Sequence, residues 1–287
     1  MAYQENQVLH RKLLLFNDLS VNNVVLIGSY RYTDSGNSLR DHTHEGTMEI
    51  CYLDKGYQTY TVGDKEYHLK GGDIFITFPG EMHGTGSYLE EKGTLYWLQV
   101  QLELINGNFL SYQDEDAKVF LKNILGISKR HFSIGSEFKN LLDQLFIVGR
   151  EKQSSLQRIK IYSLTSQILL NILEASSGGL QNNQSDEILK AVEFIKKNIE
   201  KNISVEELAD HVHLSVSHFK NKFKTEMGTS PADFVQRQKI EKSEILLREG
   251  SKNITDIAYL LGYPSSQHFS SVFKKYTGKS PSQFKKT

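Results

Sequence analysis

The sequence predicts a two-domain α+β chain, a β-rich front followed by an all-α back. Three observations carry that expectation. Residues 24–104 break into short runs of alternating apolar and polar side chains separated by Gly and Asp turns, the pattern of half-buried strands. From residue 186 onward the apolar residues recur instead at three and four, the helical period. Between the two lies "ASSGGLQNNQSDE" (175–187), small, polar and Gly-bearing, a linker composition. The expected division is therefore 1–175, a linker at 176–185, and 186–287.

The bulk numbers agree. A chain of 287 residues can bury two ordinary cores, and 38% apolar with 24% charged residues is a globular composition. No apolar run approaches the roughly eighteen residues of a membrane span, so no membrane partner is expected. The start "MAYQENQVLHRKLLLF" lacks the apolar core and small-residue cleavage site of a secretory signal. The single cysteine, Cys51, cannot make an intramolecular disulfide, which fits a reducing cytoplasm. The formal net charge of zero hides a split: residues 1–185 carry 17 Lys and Arg against 21 Asp and Glu, residues 186–287 carry 17 against 13. A basic back half suggests a polyanionic partner.

In the front half, "NVVLIGSYRY", "MEICYLDKG", "YQTYTVGDKEYHLKGGDIFITF" and "GTLYWLQVQLEL" read as strands. Many short strands at close spacing suggest a barrel or jelly roll. Residues 137–174 then read as helices, with Ile161, Leu164, Ile168 and Ile172 forming one stripe. Their apolar face exceeds what a barrel covers, so a homodimer through 137–174 is expected.

In the back half Ser185 is placed to cap a helix with Ile188, Val192, Ile195 and Ile199 inward. Two similar units follow, at about 203–225 and 253–276, joined by a helix with Pro231 at its start and Gly250 past its end. "HFKNKFKTEMGTSPADF" (218–234) and "HFSSVFKKYTGKSPSQF" (268–284) share His, Phe, Phe, Lys, Gly, Ser, Pro and Phe in register. In each unit a short apolar helix turns into a second helix with Phe219 and Phe223, or Phe269 and Phe273, one turn apart on its inner face. That is the helix-turn-helix plan, whose second helix enters the major groove of duplex DNA. With the Phe residues inward, Ser217, Lys220, Asn221 and Lys224 point outward in the first unit, and Ser266, Gln267, Ser270 and Ser271 in the second. Asn and Gln pair with adenine edges, Lys with guanine, and Ser with several bases. Lys222, Lys224, Lys274 and Lys275 suit phosphates, which position without specifying. The linking helix should set the two readers about 34 Å apart, in adjacent grooves.

The last hundred residues, above all "ITDIAYLLGYPSSQHFSSVFKKYTGKSPSQF", resemble the DNA-binding domain of the AraC/XylS family of transcription regulators. Carried over by position, the family's base-reading places fall on Ser217, Lys220, Asn221, Ser266, Gln267, Ser270 and Ser271. The linking helix departs from the pattern with Lys239 where arginine is common and Ser243 where alanine is usual.

The front half also resembles the cupin β-barrels. "DHTHEGTMEICYLDKG" carries His42, His44, Glu49 and Gly56, and "GGDIFITFPGEMHG" carries Gly72, Pro79 and His83, matching H-x-H-x4-E-x6-G and G…P…H. In metal-binding cupins these three His and one Glu hold a metal; in AraC-type regulators, which this half also resembles, such His residues commonly persist without one. The expectation is no metal, no cofactor and no enzymatic reaction, with any metal confined to His42, His44, Glu49 and His83. A cupin metalloenzyme with an appended DNA-binding domain is the alternative. The resemblance instead implies a sensor, in which Tyr30, Arg40, His42, His44, Glu49, His83 and Trp97 face a small effector, a sugar among the options. The arm of residues 1–22 could fold over the pocket mouth. His211 and His213 read as surface or turn residues. The whole is expected to be a cytoplasmic regulator of transcription, an activator meeting RNA polymerase.

Overall fold

The computed structural model describes residues 3–6 as backbone, and residues 11–33, 38–178 and 185–285. Much of the expected linker (179–184) and part of the N-terminal arm (7–10) lie outside the described residues. Two compact units are present: Met1–Gly86 with Glu90–Asn183, and Ser87–Leu89 with Gln184–Thr287.

The first unit contains β1 (Tyr3–Asn6), β2 (Arg11–Leu15), β3 (Val24–Tyr32), β4 (Thr47–Val62), β5 (Lys65–Lys70), β6 (Asp73–Thr77), β7 (His83–Gly84) and β8 (Gly93–Gln101). After these come α1 (Asp114–Leu125), β9 (His131–Ser133), α2 (Phe138–Gly149) and α3 (Ser155–Ser176). All pairings are antiparallel, in the order β1-β2-β3-β8-β4-β6-β9, with β5 and β7 added to β4. Among the described residues the ladder does not close, so the expected barrel is realised as an open antiparallel sheet.

β4 is one 16-residue strand where the sequence suggests two. Its first part pairs with β8 and β6, and from Tyr57 it pairs with β5 and β7. The change of partner falls at Gly56, with φ +94°, beside a register shift between Leu53 and Lys55. A Cβ on Gly56 would lie 2.3 Å from the Lys92 carbonyl oxygen, and one on Gly93 2.3 Å from that of Lys55. Two backbones touch here, so Gly56 bends the strand without ending it.

Alternation sorts the side chains of this sheet. Met48, Ile50 and Tyr52 of β4, with Tyr96, Leu98 and Val100 of β8, join a core closed by Phe120, Leu142, Leu145, Ile161, Ile168, Leu169 and Ile172 of the helices. Glu49, Cys51, Leu95, Trp97 and Gln99, one residue out of phase, face the other way and line a cavity. Ala117, Phe120 and Ile124 bury α1, a helix the sequence reading passed over although these residues keep the period and Asp114, Glu115 and Asp116 supply an acidic first turn.

The second unit is all helical: α4 (Asp186–Lys197), α5 (Val205–His211), α6 (Val216–Met227), α7 (Pro231–Glu249), α8 (Ile254–Leu260), α9 (Ser266–Thr277) and α10 (Pro281–Phe284). Ser204, Ser215, Ser230, Asn253, Ser265 and Ser280 each cap the helix that follows with a side-chain oxygen. Ser185 does not cap α4; its backbone N–H and hydroxyl both donate to Glu226 of α6, tying α4 to that helix instead. Pro231 opens α7, and Gly250 closes it at φ +70°.

Candidate effector pocket and nucleic-acid interface

The cavity of the first unit has a volume of 360 Å³. Of the residues expected there, Tyr30, His42, His44, Glu49 and Trp97 line it. His83 lies against Glu49 just behind the wall, and the side chain of Arg40 is exposed and contributes its backbone carbonyl to His42. The sequence reading missed Arg11, Tyr32, Tyr60, Glu90 and Gln99. The signal for two of these was present: Tyr32 stands two from Tyr30 and Gln99 two from Trp97, on the same strand faces.

Trp97 stands in the wall because Gly28, its partner across β3 and β8, leaves room: a Cβ there would overlap the indole at 2.0 Å. The Arg11 guanidinium sits 5.3 Å from the indole ring centre. Arg11 and Leu13 line the cavity from β2, so this part of the expected arm is a strand in the sheet. Tyr32 donates to Glu90 Oε1 at 2.5 Å. Burial pushes the Glu90 carboxyl above its ordinary range, and burial with the nearby Glu90 raises the Tyr32 phenol.

At one side of the cavity His42, His44, Glu49 and His83 converge, their ligand atoms all within 4.8 Å of one another. β4 supplies Glu49, β7 supplies His83, and an isolated bridge between His42 and His83 brings in the segment before β4. His42 Nδ1 lies 2.9 Å from the Arg40 carbonyl oxygen and His83 Nδ1 2.9 Å from that of Glu81. A carbonyl only accepts, so both Nδ1 atoms carry hydrogen, and in the neutral rings the lone pair is on Nε2. The Gln99 amide donates to Glu49 Oε2 at 2.8 Å and lies 3.2 Å from His44 Nε2. Glu49 Oε1 is 3.5 Å from His83 Nε2, a buried atom without a hydrogen-bond partner. Burial favours the protonated Glu49, but the nearby His44 and His83 rings and the hydrogen bond from Gln99 outweigh it and hold the carboxyl well below the usual range. Burial lowers His83, while Glu49 and the Glu81 carbonyl raise it and prevail. The donor set of three imidazoles and a carboxylate fits a first-row divalent metal. Burial and Glu49 both raise the Cys51 thiol, which donates to Glu49 and stays neutral.

In the second unit α5 and α6, and again α8 and α9, make two helix pairs about tight turns. Phe219, Phe223, Phe269 and Phe273 are fully buried. Ser217, Lys220, Asn221 and Lys224 share the exposed face of α6. On α9, Gln267, Ser271 and Lys274 are exposed, and Ser266 and Ser270 half-buried beside them. Lys275 is also exposed. Lys222 is half-buried and ion-paired to Glu226 at 3.3 Å and Glu187 at 3.8 Å, away from the Lys220 and Asn221 face. His213 is an exposed turn residue, and His211 is exposed with its ring 4.4 Å from that of Phe194. On α7, Lys239 reaches the Tyr263 ring at 5.8 Å, and burial lowers its ammonium pKa. Ser243 is fully buried and donates to the Ile240 carbonyl, so a small residue is required there.

A family model described as an AraC-like ligand binding domain matches residues 26–191, and one described as a helix-turn-helix domain matches residues 208–287. Among curated proteins, the HTH-type transcriptional regulator YfiF of Bacillus subtilis is 28% identical over 261 residues, covering 85% of this chain and 78% of that protein. The raffinose operon transcriptional regulatory protein RafR of Pediococcus pentosaceus is 24% identical, covering 89% of each. The arabinose operon regulatory protein of Escherichia coli is 25% identical, covering 77% of this chain and 74% of that protein.

Proposed function

Because the chain belongs to the AraC family, with its ligand-binding domain followed by a helix-turn-helix domain, it is a DNA-binding transcription regulator, and we propose that a sugar or similar polyol held in the front cavity controls it. The observation that carries this reading is the lining of that cavity: one indole and three tyrosines beside Glu49, Glu90, Gln99 and Arg11. Aromatic faces accept the C–H surface of a sugar, and the polar groups accept its hydroxyls. Two of the relatives named above regulate arabinose and raffinose operons, which points the same way.

Duplex DNA is read by Ser217, Lys220 and Asn221 on α6 and by Ser266, Gln267, Ser270 and Ser271 on α9, with Lys224, Lys274 and Lys275 on phosphates. The outer faces of α2 and α3 join two copies into a homodimer. No described helix is long and apolar enough to cross a membrane. The protein works in the cytoplasm, as an activator in contact with RNA polymerase, and performs no reaction of its own; the relatives are transcription regulators.

The test uses the full-length protein and operator sequences selected from random duplexes. Affinity should fall steeply with salt. Asn221→Ala or Gln267→Ala should relax specificity at single base positions by about 1–3 kcal/mol, while Lys274→Ala weakens all sequences alike and lowers the salt slope by about one. Selection that returns no preferred sequence overturns the base-reading assignment. A thermal-shift screen over monosaccharides and polyols tests the effector, and a uniform lack of response counts against a sugar.

A further inference from the structure

We infer that the effector of the front cavity is a sugar bearing an ammonium group, whose charge is held by the Glu90 carboxylate and the indole of Trp97. This rests on the sensing role proposed above and names the chemistry that the cavity selects.

The charged side chains of the lining argue for a cation. Two carboxyls, Glu49 and Glu90, stand against one guanidinium, Arg11. Glu49 is already engaged: the Gln99 amide and the Cys51 thiol donate to it, and the His44 and His83 rings lie 3.2 and 3.5 Å away. Glu90 is not. Its Oε1 accepts from Tyr32, and among the described residues its Oε2 has no hydrogen-bond or ion-pair partner. Burial pushes this carboxyl above its ordinary range, as it does for an acid with too few partners to carry its charge. A donor that is itself charged meets such a group best, since a charge-assisted hydrogen bond is about twice as strong as a neutral one. An anionic effector would instead face both carboxyls, with only the exposed Arg11 to offset them.

The cavity already holds one cation in this manner. The Arg11 guanidinium sits 5.3 Å from the centre of the Trp97 indole, within reach of cation–π attraction, and its charge acts on Glu90. Arg11 is exposed and makes no ion pair among the described residues, so an ammonium entering the cavity displaces it at little cost. Tyr30 and Tyr32, with ring centres 3.9 Å apart, extend the aromatic wall on the Glu90 side. Aromatic faces beside a carboxylate select ammonium over hydroxyl. The rest of the lining suits hydroxyls, with His42, His44 and Gln99 as donors and acceptors, and the 360 Å³ volume is at the small end for ligand pockets. An amine on a sugar ring puts both chemistries on one small skeleton.

The experiment uses tag-free, full-length protein and reads the fluorescence of Trp97, the single tryptophan of the chain, with calorimetry for stoichiometry. D-glucosamine, D-galactosamine and D-mannosamine are titrated at about pH 7, where the amine is largely protonated, beside the parent hexoses and the uncharged N-acetyl derivatives. At least one hexosamine should bind about 10-fold or more tighter than its parent hexose and its N-acetyl form. Cyclohexylammonium and cyclohexanol repeat the comparison without a sugar. Glu90→Gln should abolish the preference for both ammonium compounds, with unchanged circular dichroism. Arg11→Gln should strengthen ammonium binding about threefold or more, because a competing charge is gone; equal or weaker binding overturns the inference even if the Glu90 variant fails to fold. Hexoses that bind as tightly as hexosamines overturn the ammonium and leave the sugar reading standing. Cyclohexylammonium bound through Glu90, with no response to any sugar, overturns the sugar skeleton alone. No binding of any hexosamine or of cyclohexylammonium overturns the inference whatever the neutral sugars do.

Discussion

His213 and Gly262 do the same work with different side chains. Each sits in the left-handed region, at φ +58° and +74°, and each lets the next N–H return to an alanine carbonyl: Leu214 to Ala209 and Tyr263 to Ala258, both at 2.9 Å. Glycine adopts this conformation freely, whereas a residue with a Cβ is strained by about 1–2 kcal/mol. His213→Gly should therefore raise stability by about 0.5–1 kcal/mol, the gain being trimmed by the extra freedom of the unfolded glycine. Gly262→Ala should lower it by about 1 kcal/mol, its Cβ also arriving 3.3 Å from Lys239 Nζ. Urea midpoints of the two variants should move in opposite directions; a common direction refutes the shared role. Gly262 is legible in the sequence as a breaker because glycine advertises its φ. Histidine does not, so the strain at His213 was invisible. Lys222 was assigned to phosphate by its charge, and the sequence does not reveal that Glu226 and Glu187 pair with it.

At the scale of elements, β6 and β9 are joined by one buried carboxylate. Asp73 accepts from the Lys70 backbone N–H at 3.1 Å and lies 3.0 Å from His131 Nε2. Burial alone would raise its pKa, but the His131 and Lys70 contacts prevail and depress it. A depressed folded pKa means stability that is present above the unfolded carboxylate value and lost as pH falls through the folded one. Asp73→Asn should cost about 1–3 kcal/mol at neutral pH, and the gap to the native protein should narrow below about pH 4. Denaturant unfolding at pH 7 and pH 3.5 checks this, and a gap that does not change with pH speaks against Asp73. Strand existence was legible here and strand extent was not. β4 was divided at Gly56 because a glycine between two alternating runs reads as a turn, and only the Gly93 backbone opposite shows it to be a bend. β9 has three residues, too few to carry a period. The doubled helix pairs were read with least loss, since their caps and phenylalanine spacing are local signals.

Over the whole molecule, α3 is apolar on two sides. Ile161, Ile168, Leu169 and Ile172 face the core, while Leu156 and Ile159 are 61% and 62% exposed, with Ile147 of α2 at 58%. An outer stripe of this kind needs a cover, and a second copy supplies an identical one. The native protein should sediment as a dimer at micromolar concentration, and Ile159→Glu should yield folded monomer with weaker operator binding, because two tethered domains no longer share one site. A native monomer removes the dimer. Amphipathic period announced the buried side of α3 and a surplus of apolar residues in 137–174, but not that Leu156, Ile159 and Ile147 are the ones left exposed. The pocket was legible in its His and Glu motif and illegible in Arg11 and Glu90, which arrive from strands and loops far away in the chain.

The two reading units differ by a single residue, and this sets a rule for rebuilding them. The caps of α5 and α8, Ser204 and Asn253, stand 49 apart, whereas those of α6 and α9, Ser215 and Ser265, stand 50 apart. The added residue is Pro264, between the turn and the second cap. A chimera that exchanges recognition helices keeps its outward face only when joined at the cap serines. Joined at the turns, the exchange adds or removes Pro264 ahead of the cap, so the host unit loses the turn length its own helix pair is built on. The repeat is thus a modular part with one permissible splice point.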